Sequence, residues 1–361
     1  MFTQTLRKPD GRYLILYGRE PITGVGDAPS PSPGPFAPNA HLRWHPLRGE
    51  WVAYATHRQY RTFLPPAEYN PLAPTRDPAH PTELPTGTYD AAVFQNLFPT
   101  LTELAHDPPS LAVATRPALG ECEVVVFTRD ATASLGALSL DAIALILDVW
   151  ADRYMQLGSR PDVQYVYPFE NRGVEVGVTL HHPHGQIYAY PFIPPIAARE
   201  LDEQRAYLSV HGSGLLEDFV SREVMAAVRV LYSGPHAAAF VPICARYPYE
   251  VWVAPMRPAA SIAALTPEER VDLARAMKTT LLKFDRLWDR PFPYIMAIHQ
   301  APTDHLPHPE AHVHIEFYPA YRMKGRLKFL AGSEIGAGVF TADTDPDERA
   351  AELRAVEVSI E

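Results

Sequence analysis

Residues 123–139 read EVVVFTRDATASLGALS, and residues 250–266 read EVWVAPMRPAASIAALT. Each opens on a Glu followed by a short β-branched or aromatic run, which is the mark of a strand. In each, a Ser follows 11 residues after the Glu (Ser134, Ser261) and a Ser or Thr follows after 16 (Ser139, Thr266). In the second copy Thr266, Pro267 and Glu269 make a capping box with proline at the first helical position. RVDLARAMKTTLLKFDRLW (270–288) then carries apolar residues at helical spacing. The first copy continues as DAIALILDVWADRYMQLG (141–158), with Gly158 placed as a helix C-cap. Both copies return to strand, in DVQYVYPFEN (162–171) and FPYIMAIHQAP (292–302), and both close on a His-x-His strand. The first His of that pair lies 59 residues after the Glu in one copy (His182) and 62 in the other (His312). The spacing predicts a duplicated strand–helix–strand–strand unit, and so two similar α+β halves with a boundary in 195–205.

The chain has 361 residues, enough for two ordinary domains, and a formal net charge of -10. An acidic balance argues against broad binding to nucleic acid or anionic membranes. The two cysteines, Cys122 and Cys244, are far apart and imply neither a disulfide framework nor a Cys-only metal site. The first residues lack the apolar run of a signal peptide, and no apolar run is long enough to span a bilayer. A cytoplasmic protein is the expectation. Prolines number 38, many of them in 27–38 and 64–85, where helix and central strand are excluded and ordered surface loops are expected.

Of 15 histidines, eight fall in 181–184 and 299–314. In the strand TLHHPHGQIYAYPF (179–192), His182, His184 and Gln186 are expected on one face and Pro183 on the other. Such a proline belongs at an edge or a strand end beside a site. Two imidazoles and an amide then converge. Imidazole there can ligate a metal, act as general acid or base, or be a nucleophile for phosphoryl or nucleotidyl transfer. In the second cluster, His299, His312 and His314 suit a three-His-plus-carboxylate site for Zn or Fe(II). Asp304, His305 and His308, in the loop between, read as solvated.

HPHGQIY (182–188), with ENRG (170–173), HVHIEFYP (312–319), KFLAGSE (328–334), WHPLRGEWV (44–52) and HRQYR (57–61), resembles the class I galactose-1-phosphate uridylyltransferase family of the histidine-triad superfamily over nearly the whole chain. The resemblance implies two fused histidine-triad-like halves, each a mostly antiparallel sheet with flanking helices. It places the nucleophile motif in residues 1–197 and the His/Glu metal site in 198–361. It implies exchange of a uridylyl group between UDP-glucose and galactose 1-phosphate through a covalent adduct on His184, with Gln186 holding phosphate.

By the same resemblance Arg58 and Arg61 contact phosphate, and Asn96, Asn171 and Thr179 contact nucleotide or phosphate. Lys328, Phe329, Gly332 and Glu334 contact the hexose, from a partner subunit if the protein is a homodimer. Glu200, His299, His312 and His314 ligate Zn or Fe. The family's other metal site, a Cys-x-x-Cys pair, a distant His and the first His of H-P-H, is expected to be absent. NPLA (70–73) and Ala131 stand in its place, and prolines and loop packing are expected to take over its structural role, with His182 supporting the nucleophile. Leu97, Ser333 and Phe340 also depart from the family pattern and bear on nucleotide and hexose preference. The competing readings are a phosphorylase or hydrolase of the same superfamily, resolving the adduct with phosphate or water, and a non-catalytic metal-stabilised nucleotide-binding protein.

Overall fold

The computed structural model describes residues 1–32, 34–60, 65 and 69–360. The first part of the chain holds β1 (Phe2–Arg7), β2 (Tyr13–Gly18), β3 (His41–His45), β4 (Glu50–Tyr54), β5 (Ala91–Gln95), β6 (Thr115–Pro117) and β7 (Glu121–Val126). α1 (Leu140–Gly158), β8 (Tyr165–Arg172) and β9 (His184–Tyr190) complete it. After α2 (Pro195–His211) and α3 (Leu215–Ala226) come β10 (Val230–Ser233), β11 (Ala237–Phe240), β12 (Val251–Pro255), α4 (Pro267–Leu287), β13 (Tyr294–His299) and β14 (His314–Pro319). β15 (Tyr321–Met323), β16 (Arg326–Leu327) and α5 (Pro346–Ala355) close the chain.

The repeat is present element for element: β7, α1, β8 and β9 answer to β12, α4, β13 and β14. Its helix starts are where the capping residues put them. The Ser139 side chain accepts from Ala142 N at 3.2 Å. In α4 the Thr266 hydroxyl accepts from Glu269 N at 3.3 Å while the Glu269 carboxylate accepts from Thr266 N at 2.8 Å. Gly158 is a correction. It is the last helical residue, followed by Ser159 in right-handed conformation, so it is no left-handed cap. Its reason is packing: a Cβ there would lie 2.5 Å from Thr303 Cγ2.

The two half-sheets are not separate. Among the described residues eleven strands form one sheet, in the order β1-β2-β5-β7-β9-β8-β13-β14-β12-β11-β10. All its pairings are antiparallel, and the halves join where β8 meets β13, with Asn171 opposite Ile295 and Phe169 opposite Ala297. β3, β4 and β6 form a small sheet of their own.

α1 and α4 lie together on one face of the large sheet. Ile143, Leu147 and Trp150 of α1 and Leu273, Met277 and Phe284 of α4 are buried with Val125, Val166, Ile187, Met296 and Ile315 of the strands. Each such side chain contributes roughly 1.5–3 kcal/mol of apolar burial. Because strand residues alternate between faces, burying Ile187 and Ala189 against the helices turns Gln186 and Tyr188 to the opposite face. On that face the proline-rich segments 27–32, 34–38 and 69–85 run without strand or helix and form one wall of a cleft. They are more than outer covering. No helix among the described residues is long and apolar enough to cross a membrane.

Candidate active site

β9 begins at His184, so His182 and Pro183 form a bend before the strand rather than part of it. Pro183 sits at a strand end, as a residue without a backbone donor requires. The expected convergence of His182, His184 and Gln186 on one face is corrected accordingly. The His182 ring is buried and turned back to the loop after β7, where its Nε2 donates to Thr128 O at 2.7 Å. His181 is exposed.

His184 is held differently. Its Nδ1 donates to the His182 carbonyl at 2.7 Å. A ring with its proton on Nδ1 keeps a lone pair on Nε2. Burial holds the His184 pKa below the ordinary imidazole value, outweighing the hydrogen bond to the His182 carbonyl. The ring therefore stays neutral at pH 7.

A cleft of ≈ 710 Å³ opens over this strand, lined by His184, Gln186, Asn96, Asn171, Thr179 and Arg58, all anticipated from the sequence. The β8–β9 register, continued two residues past the Phe169–Gln186 pair, sets Asn171 across from His184. Asn96 Oδ1 accepts from Phe98 N at 2.8 Å, which leaves its amide nitrogen to donate to Gln186 Oε1 at 3.4 Å. With its oxygen so engaged, Gln186 has its NH₂ free to donate. Arg58 is steadied by donating to Phe98 O at 2.6 Å. His57, which sequence reasoning passed over, pins the same loop through Pro99 O at 2.9 Å. Leu97 lines the cleft as an apolar wall. Arg61 lies outside the described residues.

Uncharged amides and one guanidinium can donate hydrogen bonds to an anion such as a phosphate diester, and the carboxylate that lines the cleft, Glu83, is neutralised by Lys8 and Arg12.

The chain's own fold does not carry Lys328, Phe329, Gly332 and Glu334 to this cleft. Lys328 donates to Thr341 O at 2.7 Å, and Glu334 accepts from Ala331 N at 3.1 Å and from Thr341 Oγ1 at 2.6 Å, so the segment folds on itself. Gly332 opens an exposed turn, Gly332–Ala337, and Phe329 is 77% exposed. Ser333 donates to Val339 O at 2.7 Å within the same segment, and Phe340 packs on Tyr247 in the loop between β11 and β12.

A second cluster lies farther along the sheet. Ligand atoms of Glu200, His299 and His314 all fall within 4.8 Å of one another, a grouping that could hold a metal ion. His312 lies outside this triple but lines the same void of ≈ 10 Å³, room for a single water or ion. Its Nε2 donates to Pro255 O at 3.0 Å, while its Nδ1 is buried without a partner. His299 Nε2 is also buried without a hydrogen bond, and its Nδ1 lies 2.8 Å from Glu200 Oε2 without hydrogen-bond geometry. Imidazole nitrogens orphaned this way are unfavourable by about 1–3 kcal/mol each unless something coordinates them. These residues fit a cation.

Electrostatics agree. Burial lowers His312 to about 4, which leaves it neutral. Burial also pulls His314 down, but the Glu316 carboxylate outweighs it and lifts the ring to about 9. The cluster draws in a proton where a metal would supply the positive charge.

Glu316 was missed in the sequence. It stands two residues after His314 on one strand face, and that period-two spacing could have found it. The solvated reading of the loop is corrected for two residues: His308 is bonded to Asp304 at 2.9 Å and Glu310 at 3.1 Å, with little exposed side chain, whereas His305 is exposed. Cys122 and Cys244 are unpaired.

Comparison with known proteins decides the family. The profile described as "Galactose-1-phosphate uridyl transferase, N-terminal domain" matches residues 36–194, and its C-terminal counterpart matches 200–359. The chain belongs to the galactose-1-phosphate uridylyltransferase family. It is thereby placed among the nucleotidyltransferases. The galactose-1-phosphate uridylyltransferase of Thermotoga maritima is 34% identical, the alignment covering 88% of this chain and 99% of that one. The enzyme of the same name from Streptomyces lividans is 39% identical over 83% of this chain and 81% of the other. A solved uridylyltransferase structure superposes with a TM-score of 0.78 at 34% identity, covering 87% of this chain and 97% of that one.

Proposed function

We propose that the protein transfers a uridylyl group from UDP-glucose to galactose 1-phosphate, giving glucose 1-phosphate and UDP-galactose, by way of an adduct on His184. One observation carries this: His184 donates through Nδ1 to the His182 carbonyl, on a side chain lining a cleft of hydrogen-bond donors. Nε2 attacks the α-phosphorus, the bond to the bridging oxygen breaks, and glucose 1-phosphate leaves with that electron pair. A phosphate oxygen of galactose 1-phosphate then attacks the same phosphorus, the bond from phosphorus to Nε2 breaks, and its electron pair returns the ring to its neutral form. Gln186, through its free NH₂, donates to a non-bridging oxygen as charge develops there. Arg58, Asn96, Asn171 and Thr179 hold the nucleotide and phosphates, and Arg61 joins them in this reading. His182 acts through its carbonyl rather than on the substrate.

Residues 1–197 form the nucleophile-bearing domain in this proposal and 198–361 the metal-bearing one. Glu200, His299, His312 and His314 hold Zn or Fe, whose charge ties β13 and β14 to α2; the Cys-containing site of the family is absent. Lys328, Phe329, Gly332 and Glu334 reach the hexose across a homodimer interface. The exposed apolar side chains of that segment, Phe329, Ile335 at 63% and Val339 at 59%, call for a cover that a second copy supplies. Substrates are small molecules in the cytoplasm, and the charge of -10 disfavours nucleic acid.

The test is intact mass after incubation with UDP-glucose and denaturation without acid. A gain of one uridylyl group, lost on adding galactose 1-phosphate as UDP-galactose appears, is the expected result. Loss of the adduct to inorganic phosphate or water instead would mark a phosphorylase or hydrolase.

A further inference from the structure

Asn70 has no role in the chemistry described so far, yet it touches His182 across 112 residues of sequence. Its Oδ1 accepts from Leu72 N at 3.0 Å, closing an Asx turn. That bond sets the orientation of the amide and leaves Nδ2 as the donor. Nδ2 donates to His182 Nδ1 at 3.0 Å. A ring nitrogen that accepts carries no proton, so the proton of His182 is on Nε2, which donates to Thr128 O at 2.7 Å. Two bonds from two separate segments thus fix both the tautomer and the orientation of a ring that is 2% exposed. The carbonyl of that same residue accepts the Nδ1–H of His184 at 2.7 Å.

No metal fits in this place. Both nitrogens of His182 are taken by protein partners. Asn70, Pro71, Leu72, Ala73 and Ala131 offer neither thiolate nor imidazole. The second half of the molecule supplies the contrast. His312 donates through Nε2 to Pro255 O, as His182 does to Thr128 O, but its Nδ1 has no protein partner and faces the void among the metal-type ligands.

We propose that Asn70 is a positioning residue for the nucleophile: its amide, in place of a metal ion, clamps His182 in the Nε2–H tautomer and so keeps the His182 carbonyl aimed at His184 Nδ1. The inference rests on His184 being the nucleophile. It predicts that losing the amide disturbs the chemical step more than substrate binding, because Asn70 acts through the bend at 182–183.

The test compares Asn70→Ala and Asn70→Asp with the wild-type protein in steady-state exchange, in ¹⁵N spectra of the histidine rings and in metal content per chain. Asn70→Ala is expected to lower kcat about tenfold or more, the scale of a misplaced reacting group, with KM for UDP-glucose within about twofold. The Nδ1 signal of His182 should move to the position of an unbonded imine nitrogen. Metal content should match the wild type. Asn70→Asp replaces the donor with a carboxylate, which draws a second proton onto His182. Its titration midpoint should rise above that of the wild type, and part of the lost rate should return below that midpoint. If Asn70→Ala does not fold, the Asp variant alone carries the test through the midpoint of His182.

Unchanged kcat in Asn70→Ala, or lower thermal stability with kcat intact, overturns the proposal. So does loss of a metal ion in that variant. The underlying reading fails separately: exchange surviving in His184→Gly would remove the nucleophile, whereas a silent Asn70→Ala beside a dead His184→Gly removes only the clamp.

Discussion

The two halves of the molecule carry the same backbone wiring and opposite chemistry. In the first, His182 donates to Thr128 O and His184 donates to His182 O. In the second, His312 donates to Pro255 O and His314 donates to His312 O. Thr128 and Pro255 each stand five residues after the Glu that opens their repeat. Around that shared frame the side chains diverge. Across from His184 the register sets Asn171, whereas His299 pairs with His314. Two residues on, the first half has Gln186 and the second Glu316. Amides beside a neutral imidazole suit an anion; carboxylates and imidazoles with orphaned nitrogens suit a cation. On the proposed reading, one fold thus offers a phosphate site or a metal site according to which polar groups fill a fixed set of positions.

Removing the nucleophile tests the contrast most severely. His184→Gly should lower exchange by about 10⁴-fold or more and abolish the adduct seen by mass, while His314→Gly should leave the adduct on His184 in protein that remains folded. Importing the second half's carboxylate comes next. Gln186→Glu should lower kcat/KM for UDP-glucose by about 10²–10³-fold, since an anion then faces the phosphates where a donor stood; a loss below tenfold would detach Gln186 from phosphate binding.

Metal removal should act on stability more than on the first cleft. Stripping the ion with a chelator, or His299→Ala, should lower the unfolding midpoint by the equivalent of about 2.7 kcal/mol for an ion held at 100 times its dissociation constant. Equal midpoints with and without chelator would argue against an ion in the second half.

The mildest effect is in pH. Because burial lowers its pKa from the ordinary imidazole value, His184 is more than half neutral at pH 6.5 and loses its lone pair only as pH falls through the lowered value. Adduct formation should keep more than half its plateau rate at pH 6.5, measured by rapid quench. An acid limb centred above 6.5 would contradict the half-buried, neutral ring.

Much of this was readable in the chain itself. The caps at Ser139 and Thr266, the strands after the two Glu residues and the HPHGQ motif are local signals, decided within a few residues of sequence. Errors arose where a distant segment intervened. Gly158 resembled a C-cap, yet it answers to Thr303. His308 resembled a loop residue, yet Asp304 and Glu310 enclose it. His182 was set on the nucleophile's face by strand periodicity, but the strand starts two residues later. Asn70 gave no signal at all, because nothing in NPLA announces a bond to a histidine 112 residues away.

The sequence by itself determined the duplicated unit, its helix starts and the motifs on which the proposed chemistry rests, since capping, periodicity and motif chemistry act over one or two turns of chain. The tertiary structure alone decided that the half-sheets join through β8 and β13, that the proline-rich loops wall the cleft, and which nitrogen of each histidine is left free. Those outcomes depend on backbone ladders and hydrogen bonds between residues far apart in the chain. A backbone carbonyl such as that of Thr128, Pro255 or His182 is the same group at every position, and only the fold selects which histidine it binds.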